Sequence, residues 1–153
     1  MENLWNLITG NSRSIKKVNF EDIQQIFRTN QNSLLINTLS ENEQSCLIKG
    51  TVSIQDEIRL INENMYRSSI NIIVYGKNTS ETSPYKKVEQ LMGLGFYNVY
   101  LYPGGLFEWL CLQDIYSFDN FPTTKNDIVV DILKFKGKSV FNTFLLSDSY
   151  ALD

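Results

Sequence analysis

The sequence predicts an α/β fold, a five-stranded, mostly parallel sheet with helices on both faces. Three observations predict it. The apolar runs Leu34-Leu35-Ile36-Asn37-Thr38, Ile70-Asn71-Ile72-Ile73-Val74-Tyr75 and Asn98-Val99-Tyr100-Leu101-Tyr102 have the length and density of strands covered on both sides. Segments with apolar residues three and four apart fall between them. The alternation is tight, and strands and helices that take turns at short intervals build parallel sheets.

Taken in order, residues 1–16 form an arm, with an apolar cluster of Leu4, Trp5, Leu7 and Ile8 followed by a polar joint at Thr9-Gly10-Asn11-Ser12. Lys17-Val18 adds a short edge strand. Asn19 then caps a helix whose first turn carries Glu21 and Asp22, acids favoured there by the helix dipole. Phe20, Ile23, Ile26 and Phe27 lay one face of that helix on the core. After the Leu34–Thr38 strand, Leu47 to Ile54 supplies a turn at Gly50 and a further strand. Asp56 to Met65 reads as a helix whose buried stripe is Ile58, Ile61 and Met65, with Leu60 off it. The helix from Pro84 to Leu94 buries Val88, Leu91 and Met92, and Gly95 stops it in the left-handed conformation. Tyr100 and Tyr102 share one strand face, and Val99 and Leu101 the other. Pro103-Gly104-Gly105 turns the chain into a helix from Leu106 to Tyr116, with Trp109 in the core. The double glycine is a tight turn that needs positive φ. No Gly-x-Gly-x-x-Gly or Walker pattern surrounds it to cradle a phosphate. Residues 17–116 are thus the folded domain, and 117–153 an extension. With Ile128-Val129-Val130, Phe135, Phe141 and Phe144, that extension is too apolar for a solvated tail. It either folds back on the domain or docks on a partner.

The totals narrow the chemistry. A chain of 153 residues suits one domain. The net charge of −3 offers no attraction for nucleic acid or an acidic membrane. No stretch approaches the roughly 20 apolar residues of a spanning helix, and the start lacks a secretion signal, so an intracellular, cytoplasmic location is expected. The absence of histidine removes Ser–His and Cys–His nucleophile pairs, histidine metal sites and the usual near-neutral base. The two cysteines, Cys46 and Cys111, stand in no metal-ligand spacing. One disulfide is formally open to them, and two buried thiols suit a reducing compartment. No metal and no cofactor is expected.

The stretch Tyr75-Gly76-Lys77-Asn78-Thr79-Ser80-Glu81 lies where an α/β sheet gathers its chemistry, between the central strand and the helix opened by Pro84. It holds no thiol, imidazole or evident base. Lys77, Lys86 and Lys87 could ring it with positive charge over a helix N-terminus and hold phosphate or sulfate weakly, or the loop is simply solvated. Its hydroxyls, among them Ser80, Thr82 and Ser83, are candidates for phosphorylation or plain turn and cap residues.

In this order the elements resemble a single rhodanese-like domain over about Val18 to Tyr116. Leu35-Ile36-Asn37-Thr38-Leu39-Ser40 with Glu43 is similar to the family's first core strand, and Leu47-Ile48-Lys49-Gly50-Thr51 to its histidine–isoleucine–proline–glycine–alanine turn. Val99-Tyr100-Leu101-Tyr102-Pro103-Gly104-Gly105 followed by Glu108-Trp109 is similar to its closing strand, double glycine and tryptophan helix. Phe121-Pro122-Thr123-Thr124 and Asp131-Ile132-Leu133-Lys134 resemble the tail of rhodanese-like proteins of large DNA viruses.

In active sulfurtransferases of this family, a cysteine directly after the central strand carries sulfur as a persulfide. The resemblance puts that position on Gly76, which has no sulfur. Asn37 stands for the family's aspartate, Leu39 for its arginine and Leu47 for the turn's histidine, and the loop is longer than the catalytic one. The resemblance therefore implies a non-catalytic interaction module, with Gly76, Lys77, Asn78, Thr79, Ser80 and Glu81 as a degenerate active-site loop. The arm and tail would be its protein contacts, and a viral particle or assembly its setting. The alternatives are a sulfurtransferase or phosphatase relative using Cys46 or Cys111, and an anion-binding sensor. The oligomeric state is left open.

Overall fold

The computed structural model describes residues 14–67 and 69–125. Along the chain run β1 (Lys16–Lys17), α1 (Phe20–Thr29), β2 (Ser33–Asn37), a 3-10 turn (Glu41–Glu43), α2 (Ile54–Asn64), β3 (Asn71–Tyr75), α3 (Ser83–Gly93), β4 (Val99–Tyr102) and α4 (Gly105–Ile115). The strands form one parallel sheet in the order β1-β4-β3-β2, with Leu35 opposite Ile73, Ile73 opposite Tyr100 and Lys16 opposite Tyr100 on its other side.

Local chemistry fixes the helix ends. The Asn19 side chain accepts from the amides of Glu21 (2.9 Å) and Asp22 (3.2 Å), while the Asp22 carboxylate accepts from the Asn19 amide at 2.9 Å. This reciprocal cap satisfies three otherwise orphaned donors at the start of α1. Ser53 starts α2 by accepting from the Asp56 amide, Pro84 sits in the first turn of α3, and Gly95 (φ 101°) stops that helix in the left-handed region as expected.

Strand alternation then sorts the apolar side chains into two cores. Leu35, Ile73, Tyr75 and Tyr102 pack on one face against Ile23 of α1 and Leu106, Trp109 and Leu110 of α4. Leu34, Ile36, Ile72, Val74, Val99 and Leu101 pack on the other against Ile61 of α2 and Val88 and Leu91 of α3. Each such aliphatic side chain contributes about 1.5–3 kcal/mol by leaving water.

Two expectations are corrected. The sheet of the described residues has four strands, not five. Leu47–Ile54 forms only isolated bridges, Leu35 with Thr51 and Ile48 with Thr123. A turn closes at Gly50 (φ 84°) with the Thr51 amide on the Ile48 carbonyl, and the α2 cap begins at Ser53, leaving no length for a ladder. The buried stripe of α2 is also displaced. Ile58 is 73% exposed and Met65 38%, whereas Leu60 packs on the core beside Ile61 and Asn64 is buried. Asn64 tolerates that position because its amide donates to the Leu60 carbonyl at 2.7 Å.

The start of the predicted extension folds back. Phe121 is buried with its ring centroid 5.0 Å from that of Trp109, the Trp109 indole donates to the Pro122 carbonyl at 3.1 Å, and the Thr124 amide donates to the Leu47 carbonyl at 2.8 Å. The apolar arm residues Leu4 to Ile8 and the tail from Ile128 onward lie outside the described residues. Among the described residues no helix is long and apolar enough to cross a membrane.

Candidate functional site

The loop from Gly76 to Thr82 joins the end of β3 to α3 at the carboxyl edge of the sheet. Pairing of β2 with β3 continues one residue past the strands, the Thr38 amide donating to the Tyr75 carbonyl at 3.0 Å. That brings Thr38 beside the loop, where its hydroxyl lies 3.0 Å from that of Ser83, which donates to the Glu81 carboxylate at 3.1 Å.

Gly76 is buried and tightly enclosed. A Cβ there would lie 3.0 Å from Cγ and 3.1 Å from Cδ of Pro84, and 3.2 Å from the Thr38 hydroxyl oxygen. On its other side the start of α4 presses against the loop backbone. The Leu106 amide donates to the Gly76 carbonyl at 3.0 Å and the Phe107 amide to the Lys77 carbonyl at 2.9 Å. Two donors that a helix N-terminus would otherwise offer to an anion are thus spent on the loop. Gly105, at φ 66°, makes this approach feasible, since a Cβ there would stand 2.5 Å from the Gly76 carbonyl oxygen. The double-glycine turn therefore needs positive φ at one glycine, Gly105, while Gly104 has φ −60°. Within the loop, the Ser80 amide donates to the Asn78 side chain at 3.0 Å.

Two of the three lysines named at the loop are held by acids. Lys77 pairs with Glu43 at 2.5 Å and Lys87 with Glu57 at 2.6 Å, because the 3-10 turn and α2 carry acids to within reach of each lysine. The Lys77 ammonium, with help from the Ser40 hydroxyl, holds the Glu43 carboxyl below its ordinary range, although partial burial opposes this. A carboxyl with a depressed folded-state pKa adds stability that is complete above the unfolded range, near pH 4.3, and is lost as pH falls through the folded value. Lys77→Met is therefore expected to lower stability by about 1 kcal/mol or less at neutral pH. The difference should vanish in acid, as urea midpoints measured from pH 3 to 7 will check.

A neutral amide pair also lies at this edge. Asn37 is buried, donates to Gln44 at 3.1 Å, accepts from Gln44 at 2.8 Å and accepts from the Leu39 amide at 3.1 Å. Leu39 and Leu47 are buried core residues. Tyr75 and Tyr102 stay protonated, with pKa values pushed upward chiefly by burial and, for Tyr102, by the Glu108 carboxylate that accepts its hydroxyl at 3.1 Å. The Thr51 hydroxyl has one proton and sits 2.6 Å from the Ile48 carbonyl, so the Tyr75 hydroxyl is the donor in its 2.7 Å contact with Thr51.

Cys46 is buried in the core on the α1–α4 face and Cys111 is half-buried on α4; both are free thiols. The atoms nearest a side chain at position 76 belong to Pro84 and Thr38 rather than to either thiol. Among the described residues no three His, Cys, Asp or Glu side chains converge as metal ligands do. Sequence reasoning missed Thr38, Ser83 and Gln44 as builders of this edge. Their partners lie 45 residues away for the hydroxyl pair and 7 for the amide pair, and no local pattern announces either.

No protein-family model matches the chain, and no curated protein sequence does. Solved structures do. Ygr203w, described as a yeast protein tyrosine phosphatase of the rhodanese family, superposes with a TM-score of 0.53 at 12% identity, covering 74% of this chain and 94% of its own. The fold is rhodanese-like. Thiosulfate sulfurtransferase from Pseudomonas aeruginosa matches the rhodanese-like chain with a TM-score of 0.52 at 15% identity over 64% of this chain and 19% of its own. The Alr3790 protein from Anabaena gives 0.53 at 18% identity over 76% and 97%.

Proposed function

We propose that this rhodanese-like chain is a non-catalytic protein-interaction module, in a viral particle or assembly, whose recognition surface is the loop Gly76 to Glu81, with the apolar Leu4–Ile8 arm and the C-terminal tail as further partner contacts. The observation that carries the reading is the closure around Gly76. By the resemblance this is the place of the sulfur-bearing cysteine of the family's sulfurtransferases, and here Pro84 and Thr38 would have to give by a few tenths of an ångström to admit even a Cβ. The neutral Asn37–Gln44 pair and the buried Leu39 support the same reading, since by the resemblance they stand where the family carries an aspartate and an arginine.

The test is turnover by the full chain. Sulfur transfer from thiosulfate to cyanide and hydrolysis of an aryl phosphate should both stay at the buffer background, before and after Cys46→Ser and Cys111→Ser. Turnover that either serine variant abolishes would overturn the proposal in favour of a relocated cysteine. Gly76→Cys should restore no activity and should cost about 1–3 kcal/mol, as overpacking a filled site does. Affinity capture with the intact chain as bait should lose its partner on Asn78→Arg with Ser80→Arg, which enlarge the loop surface without touching the core. Added sulfate or phosphate should leave the melting temperature unchanged, because the anion would have to displace Glu43 from Lys77.

A further inference from the structure

The opposite end of the sheet holds a cavity that the loop does not use. It lies where β2 begins, between α1 and the sheet, and has a volume of about 210 Å³. Ile23, Ile26 and Phe27 of α1 wall it together with Leu35 and Ile73 of the strands, all five in or against the core on the α1–α4 face. Gly50 completes the wall, and its lack of a side chain admits the Phe27 ring, since a Cβ there would stand 3.0 Å from that ring. None of the lining residues is charged. Ser33, the first residue of β2, also lines the cavity, and its Oγ is buried with no hydrogen-bond partner, alone in this among the described residues. Asn30 and Gln31 line it as well and are exposed, so the cavity meets solvent there.

We propose that this cavity is a binding site for a small neutral aromatic molecule carrying one hydroxyl group. Size sets the first limit. An apolar cavity of about 150 Å³ takes benzene, so this one takes a single ring with a few further atoms. Water is a poor occupant, because a buried water needs about two to four polar partners and the lining side chains offer one buried hydroxyl. The uncharged lining excludes an ionised ligand, whose desolvation nothing there would offset. Phe27 presents a ring for offset or edge-to-face contact with another. Ser33 serves the polar end. Its hydroxyl has no protein partner to replace the water bond lost on folding, and a ligand hydroxyl provides one. A serine side chain turns about one torsion between staggered positions, so Oγ can swing to meet that group. The cavity lies at the amino ends of the strands and the loop at their carboxyl ends, so this assignment stands whether or not the loop binds a protein.

Titration of the intact chain with phenol, toluene and benzoate at neutral pH tests this. Phenol is expected to saturate one site, toluene to bind it several-fold more weakly, and benzoate about ten-fold more weakly or not at all. Ser33→Ala should bring phenol down to the affinity of toluene. The same variant should raise the urea midpoint of the protein alone, since it removes a buried hydroxyl that holds no bond. Ile26→Trp, at a half-buried wall position, should abolish binding of both neutral probes by filling the space. The absence of saturable phenol binding overturns the proposal. So does binding that survives Ile26→Trp in a folded variant, or toluene or benzoate binding as tightly as phenol. A preference for phenol over toluene that Ser33→Ala leaves intact overturns it as well, and so does a urea midpoint that Ser33→Ala lowers. Should Ile26→Trp fail to fold, the isoleucine methyl resonances of the native chain decide the matter. Phenol-induced shifts centred on Ile23, Ile26 and Ile73 support the site, and shifts centred on other isoleucines, or none, overturn it.

Discussion

Gly105→Ala is expected to destabilise the protein by about 3–5 kcal/mol. The residue has φ 66°, and an added Cβ would stand 2.5 Å from the Gly76 carbonyl oxygen and 3.1 Å from its carbon. Left-handed backbone alone costs a non-glycine residue about 1–2 kcal/mol. The collision is with backbone, so relief requires α4 to retreat from the loop. Retreat breaks the Leu106 and Phe107 amide bonds to the carbonyls of Gly76 and Lys77, each worth about 1 kcal/mol. Gly93→Ala is the control. Nothing lies within 4 Å of the place its methyl group would take at the end of α3, and alanine there should be neutral or stabilising by up to about 1 kcal/mol. Urea midpoints for both variants read the contrast, and equal effects would show that the α4–loop contact contributes nothing special.

Trp109→Ala is expected to cost about 3–5 kcal/mol, the usual loss for a large aromatic removed from a close-packed core. The side chain is fully buried, with ring centroids 5.0 Å from Phe121, 6.2 Å from Phe27 and 6.4 Å from Tyr102. It therefore joins α4 to α1, to the sheet and to the segment after the helix. Its indole also donates to the Pro122 carbonyl, so the variant should loosen residues 117–125 before it unfolds globally. Limited proteolysis should accordingly cut between Tyr116 and Lys125 in Trp109→Ala at conditions where the parent resists. Trp109→Phe keeps much of the packing but loses the donor, and should fall between the two.

The sequence announces what local chemistry decides. The Asn19 cap, the Gly95 stop, the sorting of Tyr100 and Tyr102 from Val99 and Leu101, and the special turn at Gly104-Gly105 follow from residue types over a few positions. The features that escape are decided by distant partners. Lys77 is neutralised by an acid 34 residues away and Lys87 by one 30 residues away, and a lysine read by its neighbours alone looks free. The β-rich look of Leu47–Ile54 likewise gives way to a turn and a cap that use up its length. Ile58 looks like core beside Ile61, and which of two helix stripes faces the sheet is settled by α2's packing rather than by its own spacing. At the loop, the glycine at position 76 is visible in the sequence, but its enclosure by Pro84 and Thr38 is a tertiary fact.

The placement of β1 has a consequence for how the molecule is made. Among the described residues its two residues pair with β4 alone, whose register sets Lys16 against Tyr100 across more than half of the chain. A ribosome must therefore deliver β4 before the opening strand has anywhere to go, and the growing polypeptide carries an unfinished border throughout that wait. Contacts so remote in sequence slow the search for the native state. Protection of the Val18 amide, which donates to the Leu101 carbonyl at 2.9 Å, should be among the last to appear in pulse-labelling during refolding.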